Sequence, residues 1–186
     1  GLVSRRKNVG TRVESAKPRA SFRPSLASVD DLLQFGAEHV RVVQSIETVK
    51  ATGDLAAELG CDEGVPWLRI SSLRMEENDA AAPIGWTDVY IDPGYADIAE
   101  LVKASPDTLI SSLIEERHGR HIAEIHQDVR AVTMEDGAVA RSLQVKAGAS
   151  ALKIVRRYFG AQGGVVVISV SVPPADPFSV SVRLRR

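Results

Sequence analysis

The segment Val166-Val-Ile-Ser-Val-Ser-Val172 alternates apolar and polar side chains over most of its length. An earlier segment, Leu68-Arg-Ile-Ser-Ser-Leu73, shows a similar alternation. Side chains two positions apart in a strand lie on the same face of a sheet, so both segments are predicted to be strands beside an apolar core. These two segments therefore indicate that a β-sheet is the main element of the chain.

The sequence also contains a weak internal repeat with an offset of 84 residues. Gly53 and Gly64 recur as Gly137 and Gly148, and five apolar residues recur at the same offset. These pairs are Ala56 with Ala140, Leu59 with Leu143, Leu68 with Leu152, Ile70 with Ile154, and Ile84 with Ile168. The repeat predicts two halves of similar structure.

Each half is predicted to contain a strand, a short helix, a glycine-containing turn and two more strands. These elements span 40–51, 54–59, 67–75 and 84–91 in the first half, and 122–134, 135–143, 151–159 and 165–172 in the second. An insertion between the halves is predicted to form helices at 94–103 and 107–117. The prediction is an α+β fold with an antiparallel sheet of about six strands and helices on one face.

Composition is that of an ordinary globular protein and excludes several functional classes. Of 186 residues, 44% are hydrophobic and 25% are charged, and the formal net charge of -1 gives no general attraction to nucleic acid. Cys61 is the single cysteine, which excludes an internal disulfide and suits a reducing cytoplasm. No apolar run is long enough for a membrane span, and no P-loop, dinucleotide-binding or nucleophile-elbow motif is present. His118, His121 and His126 have no neighbour with ligand spacing, so neither a metal nor a cofactor is predicted.

The first thirteen residues differ from the rest because they carry four cations and no acid. They are predicted to form strands at 2–5 and 11–13 around a turn containing Asn8 and Gly10. A basic hairpin suits a DNA backbone or minor groove, although a disordered basic tail is the alternative. The predicted DNA contacts are Arg5, Arg6, Lys7, Asn8, Gly10, Thr11 and Arg12. The chain has no initiator Met, so we expect it to be part of a longer protein.

Residues 14–35 are predicted to be a linker because they contain Pro18, Pro24 and several serines and offer little to bury. The predicted domains are therefore a hairpin at 1–13, a linker at 14–35 and one globular domain at 36–186.

Several motifs in this order resemble one family of bacterial regulators. Gly1-Leu-Val-x-Arg-Arg6 followed by Gly10-Thr-x-Val13 is similar to the wing of the winged helix in GntR-type transcription regulators. The base-reading helix of that domain is absent from this sequence. The motifs Ala56-x-x-Leu59-Gly60, Gly64-x-Pro66, Leu73-Arg74, Pro83-Ile84 and Leu109-x-x-x-Leu113-x-Glu-Glu-Arg-His-Gly119 resemble UTRA, the ligand-sensing domain of the HutC branch. So does the ending Ser169-Val-Ser-Val-Pro-Pro-Ala-Asp-Pro-Phe-Ser-Val-Ser-Val-Arg-Leu-Arg-Arg186.

The resemblance implies a chorismate-lyase-like fold with flanking helices and an effector cleft. It also implies a homodimer that presents two winged helices of the full-length protein to operator DNA. A small-molecule effector would then modulate operator affinity through its different affinities for the two arrangements of the heads. The alternatives are an enzyme of this fold and a dimerisation module with a degenerate pocket; no membrane partner is implied.

The resemblance places candidate effector-binding residues on the second strand, the middle helix and the later strands. Trp86 and Asp88 share a face of the third strand and could form a stacking wall and a polar hook. Ser72, Thr87 and Val167 replace polar or charged residues of the family pattern, which favours an effector less polar than a sugar phosphate. The predicted set is Arg74, Trp86, Asp88, Asp107, Thr108, Arg157 and Ser169. The structural alternatives are Trp86 as core, Arg74 as a surface cation or a member of a structural ion pair, and Thr108 as a helix cap.

Overall fold

The computed structural model describes residues 3–6, 10–13, 39–76, 79–176, 178 and 180. The strands in these ranges are β1 (Val3–Arg6), β2 (Gly10–Val13), β3 (His39–Lys50), β4 (Pro66–Glu76), β5 (Asp79–Ile91), β6 (Ile122–Thr133), β7 (Ser150–Gly160) and β8 (Val165–Val172). The helices are α1 (Gly53–Leu59), α2 (Ala99–Ala104), α3 (Ile110–His118) and α4 (Ala138–Ser142), with a 3-10 helix at Pro93–Ile98. No helix in these ranges is both long enough and apolar enough to cross a bilayer.

Strands β3 to β8 form one antiparallel sheet in the order β3-β4-β5-β8-β7-β6. Each half of the repeat is a three-stranded meander, and the two meanders join where β5 pairs with β8. At this seam Thr87 lies opposite Ser171, and their hydroxyl oxygens are 2.9 Å apart. Equivalent residues of the two halves thus meet at the centre of the sheet, and the predicted six-stranded α+β fold is confirmed.

Helices cover both faces of the sheet, which corrects the prediction that they cover one face. Ile98 and Ile114, from the segment between the halves, pack with Ile70 on one face. Leu59 of α1 packs with Ile168 on the other face, where α4 also packs. The strands in the middle of the sheet are buried on both faces, as the consecutive buried residues 166–170 show. They therefore need an apolar layer on each side.

The helices of the inserted segment and of the second half differ from their predicted bounds. The predicted helix at 94–103 consists of the 3-10 helix followed by α2, and the predicted helix at 107–117 begins three residues later, at Ile110. The second-half helix is confined to Ala138–Ser142. Gly60 ends α1 with φ 69°, a left-handed conformation that a side chain at this position would strain.

The basic N-terminal segment forms an antiparallel pair of strands, β1 and β2, in which Val3 lies opposite Val13. Gly10 is the first residue of β2 and lies opposite Arg6, whereas the sequence had placed it in the turn. Lys7 and Asn8 lie outside the described residues, as does the predicted linker at 14–35.

Candidate functional site

A cavity lies between the middle of the sheet and the N-terminal end of α3. It is partly open to solvent, and its empty space, including the part at the open mouth, is about 570 Å³. Its polar lining consists of three arginines and six hydroxyl-bearing residues: Arg41, Arg74, Arg156, Ser72, Thr87, Ser111, Tyr158, Ser169 and Ser171. Its apolar lining consists of Val89, Leu109, Ile110 and Val167.

Arg41 connects the wall of the cavity to the turn between α2 and α3. Its guanidinium donates to the carbonyl oxygens of Val102 and Ser105, each at 3.3 Å, and of Thr108. Its backbone N–H donates to the carbonyl oxygen of Pro106 at 2.8 Å. Carbonyl oxygens at the C-terminal end of a helix lack helical partners and carry partial negative charge. Arg41, which is 5% exposed, therefore holds this turn against the sheet.

Arg74 and Arg156 reach the cavity from opposite halves of the sheet. Arg74, on β4, donates from Nη1 to the carbonyl oxygen of His39 at 3.0 Å. Arg156, on β7, is 7% exposed and donates from Nε to Oε1 of Gln127 at 2.7 Å. Both arginines are thus oriented by neighbouring strands, with their charged groups at the cavity wall.

The cavity is strongly electropositive. The pKa of Arg41 and that of Arg74 are each lowered to about 10, chiefly by burial. For Arg41 the nearby charge of Arg74 contributes to the lowered pKa, and the charge of Asp107 opposes it. Burial also lowers the pKa of Arg156. Guanidinium groups remain protonated at neutral pH, and no carboxylate is among the described residues that line the cavity. An anion in the cavity would relieve this unfavourable burial of positive charge.

The hydroxyl groups in the cavity differ in how well they are hydrogen-bonded. Ser72 donates to the carbonyl oxygen of Thr87 at 3.3 Å, and the Thr87 hydroxyl pairs with Ser171. Ser169 is 7% exposed, yet its Oγ has no hydrogen-bond partner among the described residues. A buried polar atom without a partner is unfavourable. The Ser169 hydroxyl is therefore available to a bound molecule.

The N-terminal end of α3 borders the cavity without a capping side chain. Leu109 is the N-cap residue, and no side chain bonds to the first backbone N–H groups of the helix. The hydroxyl of Thr108 instead donates to Asp107 at 3.2 Å. Ser111, the second residue of α3, lines the cavity. Unpaired N–H groups at a helix start favour a negative charge nearby.

Three of the predicted effector residues face away from this cavity. Trp86 packs in the cluster that includes Leu73 and Val172 and is not among the residues that line this cavity. Asp88 accepts a 2.5 Å hydrogen bond from Ser71. Arg157 donates to the carbonyl oxygens of Glu58 and Leu59 and pairs with Asp128 at 2.8 Å. In this structure Arg157 anchors α1 to the sheet, while Arg74 and Ser169 are the predicted residues that line the cavity.

Sequence reasoning missed Arg41, Arg156 and Ser111. Arg156 lies two positions from both Ile154 and Tyr158 in the predicted strand. All three side chains therefore share one face, and an arginine on a face predicted to be buried indicates a functional site. The family resemblance instead predicts its neighbour Arg157 as an effector-binding residue, because that position matches an arginine of the family. Arg41 carried a weaker signal of the same kind, since it alternates with valines in the first strand.

A second, smaller cavity, also partly open to solvent, adjoins the first. Four residues line both cavities: Arg74, Thr87, Arg156 and Ser171. The remaining lining residues of the second cavity carry no charged group: Ile84, Gly85, Trp86, Ile154, Pro173 and Phe178. The two cavities thus form a polar and an apolar compartment on either side of a shared polar wall.

The histidines that lie close together in sequence are engaged separately. His118 lies 2.8 Å from a carboxylate oxygen of Asp97, and His126 lies 2.8 Å from one of Glu124. Among the described residues, no group of three or more His, Cys, Asp or Glu side chains has an arrangement that could hold a metal ion.

The fold described above is that of effector domains from bacterial transcription regulators. The effector domain of PhnF from Mycobacterium smegmatis superposes with a TM-score of 0.68 at 15% identity, covering 88% of this chain and 99% of that one. A GntR-family transcriptional regulator from Bacillus cereus gives a TM-score of 0.66 at 14% identity, with coverages of 80% and 99%. YydK from Bacillus subtilis gives 0.71 at 17% identity, with coverages of 100% and 77%.

The sequence model of the UTRA domain matches residues 36–179. This chain belongs to the UTRA domain family. No curated protein sequence matches it.

Proposed function

We propose that this chain is the effector-sensing and dimerisation part of a HutC-type GntR regulator and that its effector is a small organic anion. The observation that carries the proposal is the convergence of Arg41, Arg74 and Arg156 on one cavity without a carboxylate in its described lining. Structural arginines in a protein interior normally have counter-charges. An anionic ligand would place a negative charge beside these three guanidinium groups.

The unpartnered hydroxyl of Ser169 and the uncapped start of α3 support the same proposal. Both provide hydrogen-bond donors to a negatively charged group. The sequence reading favoured an effector less polar than a sugar phosphate because family polar residues are absent at positions such as Thr87. Arg41 and Arg156 supply positive charge that this reading did not count.

In the intact cytoplasmic regulator, the domain would form a homodimer and place two DNA-binding heads on an operator. The effector would alter operator affinity by as much as its own affinity differs between the two head arrangements. Strands β3 and β6 are the edges of the sheet and expose the large apolar residues Val42 and Val129. Apolar side chains on open edges support self-association, which sedimentation of the purified chain would measure.

The basic hairpin formed by β1 and β2 would contact DNA phosphates in the intact regulator, through the predicted contacts Arg5, Arg6, Lys7, Asn8, Gly10, Thr11 and Arg12. A regulator is preferred to an enzyme because solved structures that share this fold are of transcription regulators. In addition, the described lining residues of the cavity include no paired acid and base.

Thermal unfolding with a panel of anions tests the sensor proposal. The panel contains inorganic phosphate, sugar phosphates and carboxylates of several sizes. A ligand at one hundred times its dissociation constant adds about 2.7 kcal/mol to the free energy of unfolding, which raises the melting temperature measurably. Arg74→Gln should abolish the shift, whereas Arg130→Gln, at an exposed position on β6, should preserve it. A panel without any shift, or a shift that survives Arg74→Gln, would contradict the proposal.

A further inference from the structure

We infer that the effector is amphiphilic, with a compact carboxylate head in the polar compartment and an apolar tail in the adjoining apolar compartment. This inference rests on the proposed function, because it assigns a chemical class to the anion that the cavity binds. It predicts a ligand with one charged end and one hydrocarbon end, such as an alkanoate or arylalkanoate, rather than a hydroxylated phosphate ester.

The positions of Arg74 and Arg156 support a ligand whose carboxylate lies at the wall that the two compartments share. Arg74 and Arg156 line both compartments, so a carboxylate beside them leaves its substituent free to enter either one. The described hydrogen bond of Arg156 uses Nε alone, which leaves its two terminal nitrogens for a ligand. A planar guanidinium and a carboxylate pair through two parallel hydrogen bonds.

The polar compartment suits the head because donors surround it. Ser169 is buried and its hydroxyl has no partner among the described residues, so it can donate to a carboxylate oxygen. Arg41 contributes charge, although its guanidinium already donates to three backbone carbonyl oxygens. One carboxylate therefore satisfies the donors that the structure leaves available.

The apolar compartment suits a hydrocarbon tail because beyond the shared wall it is bordered by residues such as Ile84, Ile154, Pro173 and Phe178. The hydroxyls of a sugar would lose their hydrogen bonds to water there and gain few in return. A methylene chain or an aromatic ring would instead gain from removal of apolar surface from water.

Affinity measured against tail length tests the inference. Nuclear magnetic resonance titrations of the purified chain with acetate, butanoate, hexanoate and phenylacetate give dissociation constants even for weak binding. We expect about a threefold gain for each added methylene. Hexanoate has four more methylenes than acetate, so it should bind roughly 80-fold more tightly. Glucose 6-phosphate and inorganic phosphate, titrated in parallel, should bind less tightly than hexanoate.

Gly85→Leu should remove the gain from tail length without removing anion binding. Gly85 lines the apolar compartment, and a Cβ there would lie at an ordinary contact distance of 3.5 Å from Pro173. A leucine side chain at this position should therefore occupy space beside Pro173 in that compartment. Gly137→Leu is the matched control, because its backbone is extended at φ 176° and no atom lies within 4 Å of its Cβ position. Phe178→Ala, near the end of the described chain, is a second variant that should weaken hexanoate binding more than acetate binding.

The outcomes separate the inference from the proposed function. Anion binding with no dependence on tail length, tighter binding of glucose 6-phosphate than of hexanoate, or a full tail-length gain in folded Gly85→Leu would overturn the amphiphilic ligand and leave the anion sensor intact. Failure of every anion to bind would overturn both.

Discussion

Replacement of Arg156 by methionine should stabilise the ligand-free domain while it impairs the proposed site. Arg156 is 7% exposed, its pKa is lowered by burial, and its one described hydrogen bond goes to Gln127. A buried charge without a counter-charge costs about 3 kcal/mol. The charged hydrogen bond to Gln127 returns about 1.5 kcal/mol. Methionine fills a similar volume, so Arg156→Met should raise the free energy of unfolding by about 1 to 2 kcal/mol.

Arg157→Met is the matched control, because the neighbouring side chain points to the opposite face. Arg157 donates to two carbonyl oxygens at the end of α1 and pairs with Asp128. Its replacement should lower the free energy of unfolding by about 2 kcal/mol, since these acceptors lose a charged donor. The same substitution at adjacent positions is thus expected to raise the free energy of unfolding at Arg156 and to lower it at Arg157.

Urea denaturation of the ligand-free variants at neutral pH measures both values, and repeated titration at rising pH checks their origin. Because burial lowers the pKa of Arg156, the unfolded chain binds more protons than the folded chain at alkaline pH. The penalty is present in full at neutral pH and falls as pH rises through the lowered pKa, so the advantage of Arg156→Met should shrink. A ligand-free Arg156→Met domain that is destabilised by 1 kcal/mol or more would refute the reasoning that the charge is uncompensated.

Three further predictions concern the seam, a helix end and DNA. Thr87→Val should lower the free energy of unfolding by about 1 kcal/mol in urea denaturation, because Ser171 loses its partner; a Ser171→Ala double variant that recovers none of this loss would contradict the pairing. Gly60→Ala should cost about 1 kcal/mol because φ is 69° at this position, whereas Gly137→Ala should change stability little. In an intact regulator, Arg6→Ala should weaken operator binding and reduce the slope of affinity against salt by about one; an unchanged slope would exclude a phosphate contact.

The fold was more predictable from the sequence than the site. Alternation in β4 and β8, together with the repeat of Gly53 and Gly64 as Gly137 and Gly148, was sufficient to predict about six strands in two similar halves. The alternation of residues in a strand identifies which side chains share a face of the sheet, but it does not identify the elements that pack on that face. The helices were therefore placed on one side, although buried residues 166–170 need an apolar layer on both.

The site depends on which of two adjacent arginines faces the cavity. Arg156 and Arg157 differ by one position, and strand parity alone decides that one lines the cavity while the other anchors α1. Arg41, Arg74 and Ser169 come together because β3, β4 and β8 place them on the same face of the sheet, around one cavity. Such a convergence depends on strand order and register, which local sequence patterns do not specify.

The seam between β5 and β8 also has a mechanical consequence. Six residue pairs join these strands and six join β7 to β8, whereas eleven join β3 to β4 and eleven join β6 to β7. The sheet should therefore yield by twisting in its middle, around β8, before its outer strand pairs separate. Arg74 lies on one side of this strand and Arg156 on the other, so a single anion held by both would act as a cross-link. Backbone amides along the seam should then exchange their hydrogens with solvent more slowly when the cavity is occupied.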